Sequence, residues 1–481
     1  MMSENKKVIS GFFWRFAERC GSQGVSFIVS LILARLLTPD DYGTISLVMV
    51  FINILNVFVD SGMGNALIQK KNADNIDFSS VFYFNLLMCC ILYGLIYVIA
   101  PYIALFYNSP QLTNIIRILS LTVIISGIRN VQQAYVSRNM LFRRFFFATL
   151  GGTLGSAIVG IAMAYMGFGV WALVVQQIFN TAVSTLILWY TVKWRPSAVF
   201  SFIRLKSLFN FGWKLLVSGL INTLYENART LIIGKIYSSA DLAYYNQGNK
   251  FPNVIVTNIN NSIDSVLLPA MANEQEHINR VKAMTQKSIQ LSTYIMAPLM
   301  MGLAVVADSV VSIVLTDKWL PCVLFLRIFC ITYMFYPIHT ANLNAINALG
   351  RSDIFLKLEI FKKIVGVTAL IITMQISVEA MAYSQLIISI ISQLANSWPN
   401  KKLLNYSYFD QVKDILPAIC LAVFMGALIY PIQFLNLGNG MTLFVQIILG
   451  MVIYIAGSEI FKVKTFGYLK SMIISYLKRS R

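Results

Sequence analysis

Apolar residues run along almost the whole chain in long stretches that are separated by short polar breaks. An α-helix of ~20 apolar residues is long enough to cross the ~30 Å hydrocarbon core of a bilayer. A transmembrane β-barrel would instead show short segments in which polar and apolar residues alternate. The pattern therefore predicts an all-α polytopic membrane protein with about fourteen transmembrane helices. The predicted spans lie at 10–37, 42–67, 78–101, 113–137, 145–167, 169–192, 211–237, 241–269, 288–313, 321–349, 354–376, 379–400, 415–433 and 440–461.

Composition supports insertion into a membrane and narrows the chemistry. The 481 residues are 57% hydrophobic and 12% charged, whereas a soluble domain is roughly a quarter charged. No predicted loop is long enough for a catalytic domain, and no glycine-rich loop ends in Gly-Lys-Ser/Thr, so we expect neither an enzyme nor ATP-driven transport within this chain. The two histidines, His277 and His339, lie far apart in the sequence, so we expect no metal site and no cofactor.

The net charge of +18 follows the predicted topology. Lys and Arg concentrate in alternate loops and in the C-terminal tail, whereas the opposite loops carry Lys318 alone. The positive-inside rule therefore places the basic loops and both termini in the cytoplasm. The excess charge indicates contact with anionic lipid headgroups rather than with nucleic acid. The first apolar stretch lacks a small-residue cleavage site, so we expect no signal peptide.

An internal repeat divides the chain. Residues 32–43 align with residues 232–243 without a gap, and each copy ends a helix with a basic residue before a polar turn that contains an aspartate. Six predicted spans separate the copies, so both keep the same orientation and predict a parallel pseudo-two-fold. The prediction is an N-lobe at 1–200 (spans 1–6), a C-lobe at 201–405 (spans 7–12), and spans 13–14 with a basic cytoplasmic tail at 406–481. Chance similarity between hydrophobic helices is the alternative.

Predicted spans 1, 2, 7 and 8 each carry a line of polar residues at helical spacing. Ser46, Asn53 and Asp60 in span 2 match Asn246, Asn253 and Asn260 in span 8 at the same 200-residue offset. These lines predict substrate-binding residues that face a shared, hydrated cavity: Arg15, Arg19, Lys214, Asn222, Arg229, Lys250 and Asn253. Asp60 and Glu226 are candidates for coupling-ion sites or for ion pairs.

The charges in these lines indicate the chemistry of the cargo. A charged residue at mid-membrane costs ~2.5–3.5 kcal/mol on insertion scales, so it faces protein or water. Because the guanidinium group matches phosphate oxygens in a bidentate manner, the basic residues favour an anionic substrate that carries phosphate. Two alternatives stay open, polar side chains that only join helices and an ion-pair network that is purely structural.

Residues 34–43, followed by Asp60 and residues 61–69, resemble the polysaccharide-exporter family of repeat-unit flippases. That family belongs to the multidrug/oligosaccharidyl-lipid/polysaccharide exporter superfamily. The resemblance implies two six-helix lobes around a cationic cavity in the bacterial plasma (inner) membrane. It also implies outward transfer of undecaprenyl-pyrophosphate-linked oligosaccharide by alternating access, for lipopolysaccharide or other surface polysaccharide synthesis. The second copy of the turn lacks equivalents of Pro39 and Gly43, which predicts a gate of different stiffness in the second half.

Other functions remain as alternatives. A multidrug and toxin exporter of the same fold, coupled to H⁺ or Na⁺, would favour a cavity in which carboxylates dominate. A membrane polymerase or glycosyltransferase would need a sizeable extramembrane loop, and the predicted non-cytoplasmic loops are short. We expect a monomer that interacts with lipid-linked oligosaccharide and membrane lipids, with the polysaccharide polymerase machinery as a candidate partner.

Overall fold

Helices form all the regular secondary structure of the described part of the chain. The computed structural model describes residues 2–60, 62–435 and 437–479, without the side chains of residues 2–13, 15, 16, 19, 20, 211, 472–474 and 476–479. Its contacts divide the chain into two compact units, Met1–Ala243 (unit 1) and Tyr244–Arg481 (unit 2).

Unit 1 holds nine helices and the first turn of a tenth: α1 (Met2–Leu36), α2 (Pro39–Asp60), α3 (Met63–Gln69), α4 (Asn75–Phe106), α5 (Gln111–Leu119), α6 (Leu121–Arg138), α7 (Phe142–Tyr165), α8 (Val170–Thr191), α9 (Phe202–Ile236) and the start of α10 (Ser239–Asn273). Unit 2 holds the rest of α10 and α11 (Ile278–Val305), α12 (Ala307–Leu315), α13 (Cys322–Met334), α14 (Tyr336–Ala348), α15 (Ser352–Thr373), α16 (Val378–Leu403), α17 (Tyr408–Ile429), α18 (Asn439–Ile460) and α19 (Lys464–Arg479).

Each predicted span coincides with one helix or with two consecutive helices. Ten helices or consecutive pairs in the described chain are long and apolar enough to cross a membrane, so this is a multi-pass membrane protein. Three other long helices of the predicted spans, α9, α10 and α15, are too polar to be counted among these ten. The described part of α1 contains only a shorter apolar helix, Gly21–Leu36. The count of fourteen spans in two lobes stays a prediction.

Four predicted spans each comprise two consecutive helices. In span 2, Gly62 precedes α3 and has φ +68°, a left-handed conformation that favours glycine. Span 4 breaks at Ser120, span 9 at Val306 and span 10 at Phe335. The break in span 10 lies next to Pro337, which cannot donate a helical hydrogen bond.

The two copies of the repeated turn share one hydrogen-bond pattern. In the first turn, Thr38 Oγ1 donates to Asp41 Oδ2 at 2.7 Å and Asp41 N donates to Thr38 Oγ1 at 3.2 Å. In the second turn, Ser238 Oγ donates to Asp241 Oδ2 at 2.7 Å and Asp241 N donates to Ser238 Oγ at 3.1 Å. Each pattern is a reciprocal cap that starts the next helix, α2 or α10. This likeness supports the repeat at the 200-residue offset.

Hydrogen bonds and ion pairs near α3 join the start of α4 to the segment between α8 and α9 and to the start of α9. The segment between α8 and α9 is held by Trp194, whose Nε1 donates to Asn75 Oδ1 at 2.7 Å. The Asp77 side chain is fully buried and accepts a 2.7 Å salt bridge from Lys70 Nζ. On the surface, Arg204 binds Asp74, and this hydrogen bond holds the pKa of the Asp74 carboxyl below its ordinary value. The start of α9 is therefore tied to the start of α4.

Unit 2 contains a buried network of neutral side chains that joins α14, α16 and α17. Asn342 Nδ2 donates to Gln411 Oε1 at 2.8 Å, and Ser397 Oγ donates to the same oxygen at 2.9 Å. Asn400 Nδ2 donates to Asn342 Oδ1 at 2.6 Å. All four side chains are fully buried, so the hydrogen bonds replace the water that these groups lose.

The predicted basic tail includes one more helix, α19. It presents Phe466 and Leu469 toward α11 and α18, where Phe466 lies against Tyr294 with 6.4 Å between the ring centroids. Lys470 Nζ forms a 2.8 Å salt bridge with Glu459 Oε1. The sequence prediction of a plain tail missed this helix.

Candidate functional site

Helices α2 and α9 pack against each other within unit 1 and run antiparallel, and glycines lie in the middle and at both ends of the contact. At one end, a Cβ atom on Gly43 would lie 1.8 Å from the carbonyl oxygen of Ser239, the first residue of α10. In the middle, a Cβ atom on Gly219 would lie 3.1 Å from Val57 Cγ1. At the other end, a Cβ atom on Gly62, just before α3, would lie 2.6 Å from the carbonyl oxygen of Gly212. We call this line of contacts the α2–α9 seam.

The polar residues of both helices lie on one side of the seam. At roughly 100° per residue, Asn53 and Asp60 lie about a quarter turn from the contact line of α2. On α9, Glu226, Asn222 and Lys214 lie about 20°, about 60° and about 140° from Gly219, all in the same direction, and the antiparallel arrangement brings the two polar sides to the same side. All five side chains are exposed. The seam therefore has one polar side in unit 1.

Arg229 lies on the same side of α9 but is buried, with 7% of its surface exposed. Among the predicted substrate-binding residues, Lys214, Asn222 and Arg229 thus share one face of one helix. A buried guanidinium group is costly unless its donors are used, so this position suits a structural ion pair or an anionic ligand. The predicted binding role of these residues stays a prediction.

Asp60 ends α2 beside α6. Asn130 Nδ2 donates to Asp60 Oδ1 at 3.0 Å, and Asn85 Nδ2 donates to Asn130 Oδ1 at 3.4 Å. The Arg129 guanidinium interacts electrostatically with the Asp60 carboxylate, and Arg129 Nε is buried without a hydrogen-bond partner. The Asp60 carboxylate therefore lies near both an amide, from Asn130, and a cation, from Arg129. This arrangement is compatible with a coupling site and with a structural ion pair.

The remaining predicted residues fall in three places. The side chains of Arg15 and Arg19 lie outside the described residues, although their backbone belongs to α1. Lys250 is half-buried on α10 in unit 2. Asn253 is exposed, also on α10, and its Oδ1 accepts a hydrogen bond from Thr257 Oγ1 at 3.2 Å. A single cavity lined by all seven residues stays a prediction.

Unit 2 contains a polar pocket of about 550 Å³ between α10, α14 and α15. We call it the α10–α14 pocket, because each of these two helices contributes residues at the i, i+3, i+4, i+7, i+8 and i+11 positions of one face. From α10 it is lined by Asn253, Val256, Thr257, Asn260, Asn261 and Asp264. The facing wall comprises Tyr333, Tyr336, His339, Thr340, Leu343, Asn344 and Asn347, with Phe355, Glu359 and Lys362 from α15.

Hydrogen bonds and one ion pair fix the charged groups of this pocket. Asn344 Nδ2 donates to Asp264 Oδ1 at 2.6 Å. Lys362 Nζ and Glu359 Oε1, one helical turn apart on α15, form a 2.5 Å salt bridge. With one further carboxylate and a buried histidine, the pocket is neutral to acidic.

Sequence reasoning found one wall of this pocket and missed the other. Asn253, Asn260 and Asp264 belong to the predicted polar line of α10. Asn344 and Asn347 lie in an apolar predicted span, and their spacing of three residues was the signal that could have identified them. Tyr336 was missed because an aromatic residue in a membrane helix ordinarily contacts lipid or core.

An apolar groove follows α11 and α18 on unit 2. Two adjoining cavities of about 470 Å³ and 420 Å³ share Pro298, Leu299, Tyr454 and Ile455 as lining residues. Lys470 lines the end of the groove near α19. The groove suits a hydrocarbon chain that lies along the helices, with the ammonium group at its end near a headgroup.

The sequence profile of the polysaccharide biosynthesis protein family matches residues 32–324. The succinoglycan biosynthesis transport protein ExoT of Rhizobium meliloti (strain 1021) is 24% identical over 65% of this chain and 64% of its own length. The teichuronic acid biosynthesis protein TuaB of Bacillus subtilis (strain 168) is 23% identical over 90% of each chain.

Two solved structures share the fold. The lipid II flippase MurJ, in an inward closed conformation, has a TM-score of 0.76 and 15% identity and covers 94% of this chain and 98% of its own. An inward-facing multidrug resistance MATE family transporter has a TM-score of 0.60 and 16% identity over 80% of this chain and 96% of its own. At these identities the likeness concerns the fold alone.

Proposed function

The chain belongs to the polysaccharide biosynthesis protein family, and on this premise we propose that it is a flippase for surface polysaccharide synthesis. It moves undecaprenyl-pyrophosphate-linked oligosaccharide repeat units from the cytoplasmic to the outer leaflet by alternating access. The proposed setting is the bacterial inner membrane, with both termini in the cytoplasm and with two six-helix lobes followed by two further helices. The protein acts as a monomer and passes its product to the polysaccharide polymerase machinery.

The observation that carries this proposal is the contrast between ten apolar helices and a few equally long polar ones. Helix α9 has 35 residues, enough to cross a bilayer, yet it carries Lys214, Glu226 and a buried Arg229 on one side. Such groups are too costly to face hydrocarbon and therefore face protein, water or cargo. A substrate with a sugar and a pyrophosphate requires this kind of polar path through the membrane.

The test is export in a strain from which the gene has been deleted. Arg229→Ala and Lys250→Ala, together with Arg19→Ala, are expected to abolish surface polysaccharide while the protein remains in the membrane fraction. Arg229→Lys should restore part of the export, because it keeps the charge but loses the bidentate fork. Lys206→Ala is the matched control, an exposed cation on the same α9. Normal export by all three alanine variants would contradict the assigned roles.

A cation-coupled multidrug exporter of the same fold is the second candidate. The exposed carboxylates of Asp60 and Glu226 on the α2–α9 seam favour it, because such transporters bind cations. A drug-susceptibility assay of the deletion strain separates the two functions. Greater susceptibility to cationic drugs with unchanged surface polysaccharide would replace the flippase with the exporter.

A further inference from the structure

The α10–α14 pocket differs from a phosphate site in its chemistry. Five asparagines line it, whereas its cation, Lys362, is already paired with Glu359. Phosphate oxygens only accept hydrogen bonds, so phosphate sites supply Arg or Lys donors with charge to spare. Asp264 adds a carboxylate that would repel a phosphate. The pyrophosphate of the proposed substrate therefore does not fit here.

Side-chain amides match hydroxyl groups instead. An amide donates through its NH₂ group and accepts through its oxygen, and a hydroxyl group likewise donates and accepts. Asn261 and Asn347 are exposed on opposite walls of the pocket, on α10 and α14. Asn260 Oδ1 is buried without a hydrogen-bond partner, and its residue is only 6% exposed. A buried acceptor of this kind is costly when unsatisfied, and a ligand hydroxyl could satisfy it.

The size of the pocket and its aromatic wall fit a sugar ring. A cavity of about 550 Å³ lies in the range of small-molecule sites, ~300–1,000 Å³. Tyr336 is 39% exposed and lines the wall beside His339, with 5.3 Å between the ring centroids. A partly exposed ring offers an apolar face to the C–H side of a sugar while its hydroxyl keeps a polar contact.

We propose that the α10–α14 pocket binds a sugar residue of the lipid-linked oligosaccharide through amide–hydroxyl hydrogen bonds. The pyrophosphate is left to basic residues outside this pocket. The inference rests on the proposed flippase function and adds to it a subsite that selects the glycan. In this arrangement, neutral polar residues discriminate between glycans. Basic residues bind the pyrophosphate, which does not differ between substrates with different glycans.

Binding by the full-length protein in lipid nanodiscs tests the subsite. The probes are the oligosaccharide released by partial acid hydrolysis of the surface polysaccharide of the strain, and inorganic pyrophosphate. Asn261→Ala and Asn347→Ala should each weaken oligosaccharide binding by about fivefold, the loss of about one hydrogen bond. Pyrophosphate binding should not change. Asn258→Ala is the matched control, because Asn258 is exposed on α10 and its amide binds its own helix at Val254 O.

A second pair of variants separates the aromatic face from the hydroxyl of Tyr336. Tyr336→Phe keeps the ring and should keep most of the oligosaccharide binding, whereas Tyr336→Ala should lose it by more than the amide variants do. Melting temperatures of the same samples check that each variant is folded. Equal binding by Phe and Ala variants would overturn the ring contact.

The outcomes for the subsite and for the flippase are distinct. If the unaltered protein restores surface polysaccharide to the deletion strain but the amide variants bind oligosaccharide normally, the subsite is wrong and the flippase stands. An equal loss of both probes also overturns the subsite, because it indicates general damage. If the unaltered protein does not restore surface polysaccharide, the flippase function fails, and the subsite fails with it.

Discussion

The α2–α9 seam of unit 1 and the α10–α14 pocket of unit 2 carry different polar chemistry. The polar side of the seam carries ionisable groups, including Asp60, Lys214 and Glu226, beside contacts so close that glycine is required. The pocket presents amides around a cavity of about 550 Å³. Yet α2 and α10 start from turns with the same hydrogen bonds, through Asp41 and Asp241.

The difference shows that two copies of a repeat can keep the same turn while the helices that follow carry different side-chain chemistry. Asp60 in α2 corresponds to Asn260 in α10 at the 200-residue offset, so a carboxylate in one half is replaced by an amide in the other. A cargo that has both an anionic and a hydroxyl-rich part needs two such surfaces. Three predictions test this contrast, starting with the largest expected effect.

Gly43→Ala should abolish or strongly reduce export. The new Cβ atom would lie 1.8 Å from the carbonyl oxygen of Ser239, a backbone atom that cannot rotate away, so the two turns must separate. Overpacking of this kind costs ~1–3 kcal/mol, which shifts a two-state equilibrium by about fivefold or more. The measurement is surface polysaccharide in the deletion strain, normalised to protein in the membrane fraction.

Gly94→Ala is the control for this change. Gly94 also lies inside a helix, α4, but a Cβ atom there would meet nothing within 4 Å. Its export should be normal. Full export by Gly43→Ala would mean that export does not depend on the close contact between the two turns.

The two carboxylate–amide pairs should differ in strength. Asn344→Ala should lower the melting temperature more than Asn130→Ala does, because Asp60 still has Arg129 when its amide is removed. Asp264 lines a pocket whose Lys362 is paired with Glu359, so it keeps no such compensation from that cation. A hydrogen bond to a charged group contributes ~1.5–3 kcal/mol.

Scanning fluorimetry of the purified variants in nanodiscs measures this difference. Asn258→Ala again serves as the reference for removing an exposed amide. Equal destabilisation by Asn344→Ala and Asn130→Ala would show that Arg129 does not stabilise Asp60, and the contrast between the halves would then be weaker than proposed.

The smallest effect is expected at the exposed ion pairs. Binding by Arg204 lowers the pKa of Asp74, and binding by Arg351 lowers the pKa of Asp353 to about 2. Such carboxylates stabilise the fold above the unfolded pKa of ~3.9, and this contribution is lost as the pH falls through the folded pKa. Exposed ion pairs contribute little to stability, so Arg204→Ala and Arg351→Ala should leave the melting temperature almost unchanged at pH 7. The stability that each carboxylate contributes above pH ~4 should fall only slightly in these variants. A large effect of Arg204→Ala at pH 7 would contradict a surface role.

Much of the fold could be predicted from periodicity alone. Apolar stretches identified a helix or a helix pair at every predicted span, because lipid requires a continuous apolar run. The break at Ser120 has no proline or glycine beside it in the sequence, so tertiary packing decides where the helix ends, whereas Pro337 was a local signal for the break at Phe335. Helix α19 was missed because its lysines led us to interpret this segment as a basic tail. Its apolar residues pack only against α11 and α18, and the sequence does not show that contact.

The sequence predicted polar residues on the helices that carry charges. It did not predict which residues of adjacent helices contact them. The polar line of α9 lies on one side of that helix, as its spacing predicted. Asp60 accepts a hydrogen bond from Asn130 of α6, a residue that the sequence analysis did not single out. Such partners depend on which helices are adjacent, and a single sequence does not state adjacency.

The buried amide network of unit 2 has a consequence for the energy source of transport. Asn342, Ser397, Asn400 and Gln411 carry no net charge and fasten α14, α16 and α17 together. A membrane voltage exerts force only on charge, and a proton gradient acts only where protons bind. These four side chains therefore respond to neither, so any electrochemical drive must act on ionisable groups outside this network.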